Sequence, residues 1–199
     1  MRIQRPLDQI LDNKNKVAIL RHLVLYPSEV ATGRSLAREL GMNQATCNNA
    51  LNSLHRAGIV TRKHAGRSSI YQIASDTAVC EELLAPTFKK EAEMPEEAVR
   101  MLLAGLRVKS VQAYLFGSAA RGTDTTESDT DLLLIVDDKA DREEVLERLS
   151  ENTPEAYKRF HTGFNVVLLS ESELTKKVKR KDRFITTVIA EGKRIEVKP

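Results

Sequence analysis

The sequence predicts an α+β protein in two parts: a small basic domain of three helices and a β-hairpin, then an α/β domain whose strands carry an acidic motif. Three observations predict this. Helical periodicity dominates residues 13–58 and gives way to two short β-prone runs that end at residue 73. Compact apolar runs, VQAYLF at 111–116 and LLLIV at 132–136, alternate with helical stretches in the second half. Charge also divides along the chain. Residues 1–75 hold 11 Lys and Arg against 4 Asp and Glu, residues 76–107 hold 4 against 7, and residues 108–199 hold 16 against 17. The net +3 of the 199-residue chain averages over that division. A basic third joined to a neutral remainder points to domains with different partners. The expected boundaries are 1–75, a helical linker over 76–94, and 95–199.

Composition narrows the class. A hydrophobic share of 41% with 30% charged residues excludes a disordered chain. No apolar run approaches the roughly 18–20 residues of a membrane span, and MRIQRPLDQI lacks the features of a signal peptide. A cytoplasmic protein without a membrane partner is therefore expected. Cys47 and Cys80 make neither a disulfide framework nor a zinc set. His22, His55 and His64 are scattered, so no metal role is expected of them.

The elements follow in order. Val17, Leu20 and Val24 recur at helical spacing beside Ile19 and Leu23, with Asn13 as cap and Pro27 after the end. A second helix fits Thr32 to Leu40, stopped by Gly41. A third begins near Asn43, with Cys47, Ala50, Leu51 and Leu54 as its buried stripe and Gly58 beyond its end. Ile59 to Lys63 and Ser69 to Ile73 read as strands around a turn at His64–Arg67. Helix, helix, helix and basic hairpin, over about residues 7–75, resemble the winged helix-turn-helix domain of transcription regulators.

That resemblance implies double-stranded DNA as partner and makes the third helix the reader. Its non-core positions are Asn43, Gln44, Thr46, Asn48, Asn49 and Asn52. Asn and Gln amides can pair bidentately with the adenine edge in the major groove. Arg62, Lys63 and Arg67 on the hairpin would contact phosphates, which position a domain without reading sequence. Gly33, Arg34 and Ser35 offer a further phosphate contact. Residues 76–107 read as two helical stretches: Val79, Leu83 and Leu84 up to Pro86, then a helix opening at Pro95 with Val99, Leu102, Leu103 and Leu106 inward. Part of that region could form the seam of a homodimer, since such regulators bind paired half-sites.

The chemistry lies further on. VQAYLF runs into Gly117-Ser118-Ala119-Ala120-Arg121-Gly122. After ten residues beyond Ser118 comes Asp129-Thr130-Asp131, directly before LLLIV. Gly117 lets backbone approach a phosphate, Ser118 can hydrogen-bond it, and a helix starting there aims its N–H groups at the anion. Asp129 and Asp131, two apart on a strand, share a face and suit Mg²⁺. Arg121, one turn from Ser118, can reach the triphosphate. This pattern strongly resembles the minimal nucleotidyltransferases of the DNA polymerase β-like superfamily, over about residues 95–197.

The resemblance implies a nucleotidyltransferase-fold α/β domain with a mixed sheet, an NTP as ligand or substrate, and Asp129 and Asp131 as catalytic metal ligands. In that family a third carboxylate on a later strand completes the metal site and helps activate the acceptor hydroxyl. The matching strand here is GFNVVLL, 163–169, and alternation puts Asn165 at the acid's position. Asn cannot ionise, so transfer is in question while nucleotide binding is not. Helices over Asp141–Leu149, around Leu174 and Val178 behind Ser170, and around Ile185, Val188 and Ile189 complete the domain, with a final strand at Arg194–Val197. The expected function is a DNA-binding regulator with a Mg²⁺–NTP-binding, catalytically impaired domain. The alternative is an active enzyme transferring NMP onto a protein acceptor such as a toxin.

Overall fold

The computed structural model describes residues 4–66, 68–108, 111–125 and 127–196. They form two compact units, Met1–Glu93 and Met94–Pro199. Among the described residues, no helix is long and apolar enough to cross a membrane.

The first unit begins with the short α1, Leu7–Ile10, followed by α2, Lys14–Leu25. Asn13 caps α2 by accepting from the Asn15 N–H at 2.8 Å. A two-residue strand β1, Ala31–Thr32, leads into α3, Gly33–Glu39. Thr32 and Ser35 cap α3 reciprocally. The next helix, α4, is Gln44–Arg56 and buries Cys47, Ala50, Leu51 and Leu54 as its spacing predicts. Strands β2, Val60–Ala65, and β3, Ser68–Ile73, close the unit. Their ladder reaches Ala65↔Ser68, so the turn is tighter than His64–Arg67, with Gly66 at φ +58°. The sheet order is β1-β3-β2. Strand β1 escapes prediction because two residues carry no periodicity.

Residues 76–93 do more than link. Val79–Leu84 is a π-helical stretch that runs straight into α5, Ala85–Leu102. Val79, Cys80, Leu84 and Phe88 join Leu20, Leu51 and Leu54 in the first unit's core. Arg21 adds a two-point ion pair to Glu91, at 2.6 and 2.9 Å. The two helical stretches expected here are therefore continuous. Pro86 falls directly after the π-helical stretch, so its missing N–H coincides with the irregular turn. Pro95 sits inside α5 rather than opening a helix. Tertiary burial of Phe88 before it, and of Ala98, Val99 and Leu102 after it, outweighs the local preference. Leu83 is exposed, while Val79 and Leu84 are buried.

The second unit is a mixed four-stranded sheet of order β6-β5-β4-β7. Strand β4 is Val111–Phe116, β5 is Thr130–Val136, β6 is Phe164–Ser170 and β7 is Lys193–Ile195. Strand β5 is parallel to β6, and β4 is antiparallel to both β5 and β7. One face holds Leu132, Leu134 and Val136 against Val99, Leu102, Val145 and Leu149. The other holds Leu133, Ile135 and Leu169 against Ile185 and Val188. Both faces of β5 are thus covered, which explains its unbroken apolar run.

Helix α6 is a single turn, Gly117–Arg121, and α7 is Arg142–Phe160. Helix α7 runs well past the expected end at Leu149, through Pro154, since Ala156 is fully buried beneath it. On the same helix, Asn152 donates to the carbonyls of Leu102 and Ala104. Leu146 faces solvent. Helix α8 is Glu171–Lys179, boxed by Ser170 and Glu173, and α9 is Arg183–Glu191. Ile189 is exposed, and Val197 of the expected last strand lies outside the described residues.

Asp182 caps α9. The Ile185 N–H donates to its Oδ1 at 3.1 Å, which holds the carboxyl below its ordinary range, with Lys177 assisting. A depressed carboxyl contributes stability above the unfolded value, about 3.9, and loses it as pH falls through the folded one. Asp182→Ala should therefore melt below the parent at neutral pH, and the gap should close under acid. Thermal melts across pH, followed by circular dichroism, check this.

Candidate functional site

The site is built on one row of residues across three strands. Phe116 of β4 lies opposite Asp131 of β5, and Asp131 lies beside Asn165 of β6. Asp129 stands just before β5, with the buried Thr130 between the two acids turned to the opposite side. Thr130 Oγ1 meets Thr162 Oγ1 at 3.0 Å, and its N–H donates to the Gly163 carbonyl at 2.8 Å. Alternation therefore sends Asp129 and Asp131 to the sheet face that α9 covers.

Each aspartate has a glycine against it. A Cβ on Gly117 would collide with the Asp131 carboxylate, and one on Gly163 would collide with the Asp129 carboxylate. Gly117 also holds φ +71°, in the left-handed region. The two bare backbones leave both carboxylates room beside a chain turn. That clearance and the all-oxygen donor set fit a hard divalent cation. Gly163 was missed by sequence reasoning; its one signal is its place directly before the strand that carries Asn165.

Ser118 and Arg121 share the α6 turn, Ser118 half-buried and Arg121 exposed. Among the described residues, the side chains of Ser118, Arg121 and Asp129 make no hydrogen bond or ion pair, so all three are available to a ligand. A helix starts at Gly117 as expected, but its single turn contributes local N–H groups rather than a long dipole. Beside it lies a cleft of about 130 Å³, lined by Phe116, Gly117, Ala120, Arg121, Phe184 and Val188. The Phe116 and Phe184 rings meet edge to face at 5.3 Å.

The Asn165 Nδ2 donates to Asp131 Oδ1 at 3.1 Å. No carboxylate stands at that register position, since Asp131 pairs with Asn165 itself.

In the first unit the structure separates the expected readers. Asn43 spends its Oδ1 on capping α4, accepting from the Ala45 N–H at 2.8 Å. Asn48 is half-buried, with its Oδ1 filling the space left by the absent Cβ of Gly33. Ser35 is spent in the α3 cap. Gln44, Thr46, Asn49 and Asn52 are exposed. Arg56, missed in the sequence, lies on the stripe of Asn49 and Asn52 at i+7 and i+4. Arg62 and Lys63 are exposed on β2, and Arg67 lies outside the described residues.

Fold and site together define a protein with a winged helix-turn-helix unit and a nucleotidyltransferase-fold unit with a mixed sheet. Residues 107–196 match the family model described as polymerase beta, nucleotidyltransferase. Domains of this type generally use divalent metals. No curated protein matches the chain. Among solved structures, the chain is similar to a homodimeric winged helix-turn-helix DNA-binding domain from Mycobacterium bovis, at 24% identity and TM-score 0.37. That match covers 46% of this chain and 81% of the other. It is also similar to MepR of S. aureus in a DNA complex, at 19% identity and TM-score 0.38, over 49% of this chain and 77% of that one.

Two glycines separate clearance from backbone freedom. Gly122 is also left-handed, at φ +65°, but nothing lies within 4 Å of a Cβ there. Gly122→Ala should cost the left-handed penalty alone, on the order of 1–2 kcal/mol. Gly117→Ala should cost more, because Asp131 must also move. Urea unfolding of the two variants measures the difference.

Proposed function

We propose that the protein is a DNA-binding transcription regulator whose second unit binds a Mg²⁺–nucleoside triphosphate and is impaired in nucleotidyl transfer. The observation that carries this reading is the Asn165 amide bonded to Asp131. An amide at that position donates a hydrogen bond but takes no proton, so the chain offers no base there for an acceptor hydroxyl.

The binding half of the reading rests on the row Phe116, Asp131, Asn165 and the turn that follows Phe116. Asp129 and Asp131 would hold Mg²⁺, which supplies charge neutralisation to triphosphate oxygens when bound. Ser118 donates its hydroxyl to a phosphate oxygen, and Arg121 offers a two-pronged donor one turn later. Asn165 fixes the rotamer of Asp131 by its hydrogen bond. The domain thereby orients a triphosphate without completing the acid set that transfer needs.

In the first unit, Gln44, Thr46, Asn49 and Asn52 would face base edges, while Arg56, Arg62 and Lys63 meet phosphates. A homodimer would place two such helices on paired half-sites.

The test for the second unit uses α-labelled NTPs with Mg²⁺, with and without candidate protein acceptors. Retained nucleotide without label transfer is expected, and Asp129→Ala should lose the binding. Label transfer to an acceptor that vanishes in Asp129→Ala would replace this reading with the active enzyme.

For the first unit, Asn49→Ala with Asn52→Ala should flatten sequence preference more than non-specific affinity. Arg62→Ala should weaken all sequences alike and reduce the salt slope by about 0.9. Binding isotherms across salt on specific and random duplexes decide both.

A further inference from the structure

We propose a second metal site in the first unit, formed by His22, Glu29 and Glu39 and suited to a divalent transition metal of the zinc class. His22 sits on α2 and is 6% exposed. Its Nε2 lies 3.3 Å from Glu29 Oε2 and 3.9 Å from Glu39 Oε2. The three ligand atoms all lie within 4.8 Å of one another. They come from three separate places: the body of α2, the segment before β1, and the last turn of α3. No spacing motif joins positions 22, 29 and 39, which is why the histidines looked scattered in the sequence.

Charge supports an ion here. A neutral imidazole with two carboxylates gathers two negative charges within a unit that is otherwise basic. Among the described residues neither glutamate pairs with a lysine or arginine, and each meets only His22. Glu39 also closes α3, where the negative end of the helix disfavours an acid. A divalent cation cancels both penalties. The donor set, one imidazole nitrogen and two carboxylates, suits zinc, cobalt or manganese better than magnesium, which prefers oxygen alone. The approach to the His22 side is open, since the Glu29 and Glu39 side chains are 51% and 53% exposed. Such an ion would tie α2 to the end of α3, the helix that precedes the turn into α4.

The test uses the full chain carrying Asp129→Ala, so that the carboxylate pair of the second unit does not compete. Zn²⁺ titration by calorimetry should show one ion per chain, and Co²⁺ should give a visible absorption band. Glu29→Gln and Glu39→Gln, each built on that chain, should weaken Zn²⁺ at least about tenfold and remove the band. Zn²⁺ should raise the melting temperature of the Asp129→Ala chain but not of the two glutamine variants. Both glutamates are half exposed, so the variants should melt like their parent without metal. Absence of Zn²⁺ binding, or binding that changes less than threefold in both variants, would overturn the proposal.

Discussion

Two carboxylates can act on one phosphate group only if they stand side by side with nothing between them. In this chain the two-residue period of a strand sets that spacing, and the second unit is arranged to protect it. Strand β5 lies inside the sheet, flanked by β4 and β6, so its register is fixed from both sides. Thr130 turns inward to Thr162, and that inward contact is what turns Asp129 and Asp131 outward. A one-residue slip would turn the acids to the side where Thr130 now meets Thr162, burying carboxylates without partners.

The same spacing accounts for the glycines. Strand β4 must end beside Asp131 and turn at once, and β6 must begin beside Asp129. Any side chain at Gly117 or Gly163 would occupy carboxylate space. Asn165 enters by the same geometry. It is the β6 residue in register with Asp131, so whatever stands there sets the protonation chemistry of the pair. An acid would repel Asp131 unless a cation lay between them, whereas an amide satisfies it directly.

Much of this was legible before any coordinates. Strand, Gly-Ser, ten residues and Asp-x-Asp is a local pattern, and local patterns survive in sequence. Asn165 was placed by counting alternation along one strand. Helices α2 to α4 followed from caps and periodicity. What was hidden depends on contacts between distant segments. Pro86 and Pro95 read as breaks, yet the buried Phe88, Ala98, Val99 and Leu102 carry the helix through. Asn48 reads as an exposed amide, but the bare Cα of Gly33 admits it against α3. Asn43 reads as a base contact and is consumed as a cap. Gly163, Arg56 and the cluster at His22 carry no motif, because their partners lie far along the chain or one helical face away.

On the proposed reading the two units would meet anions by opposite means, and the difference follows from desolvation. Arg56, Arg62 and Lys63 are exposed side chains. They suit a partner whose phosphates stay largely in water, where contacts are weak, numerous and screened by salt. The second unit instead sets a backbone turn, a hydroxyl and a guanidinium on α6, with Gly117 against the Asp131 carboxylate and a cleft beside Arg121. A triphosphate held there loses water, and each fixed group gains in strength as the local dielectric falls. Acids are tolerable in such a place only with a cation between them and the ligand. On that reading the acids of the second unit are the counterpart of the bases of the first.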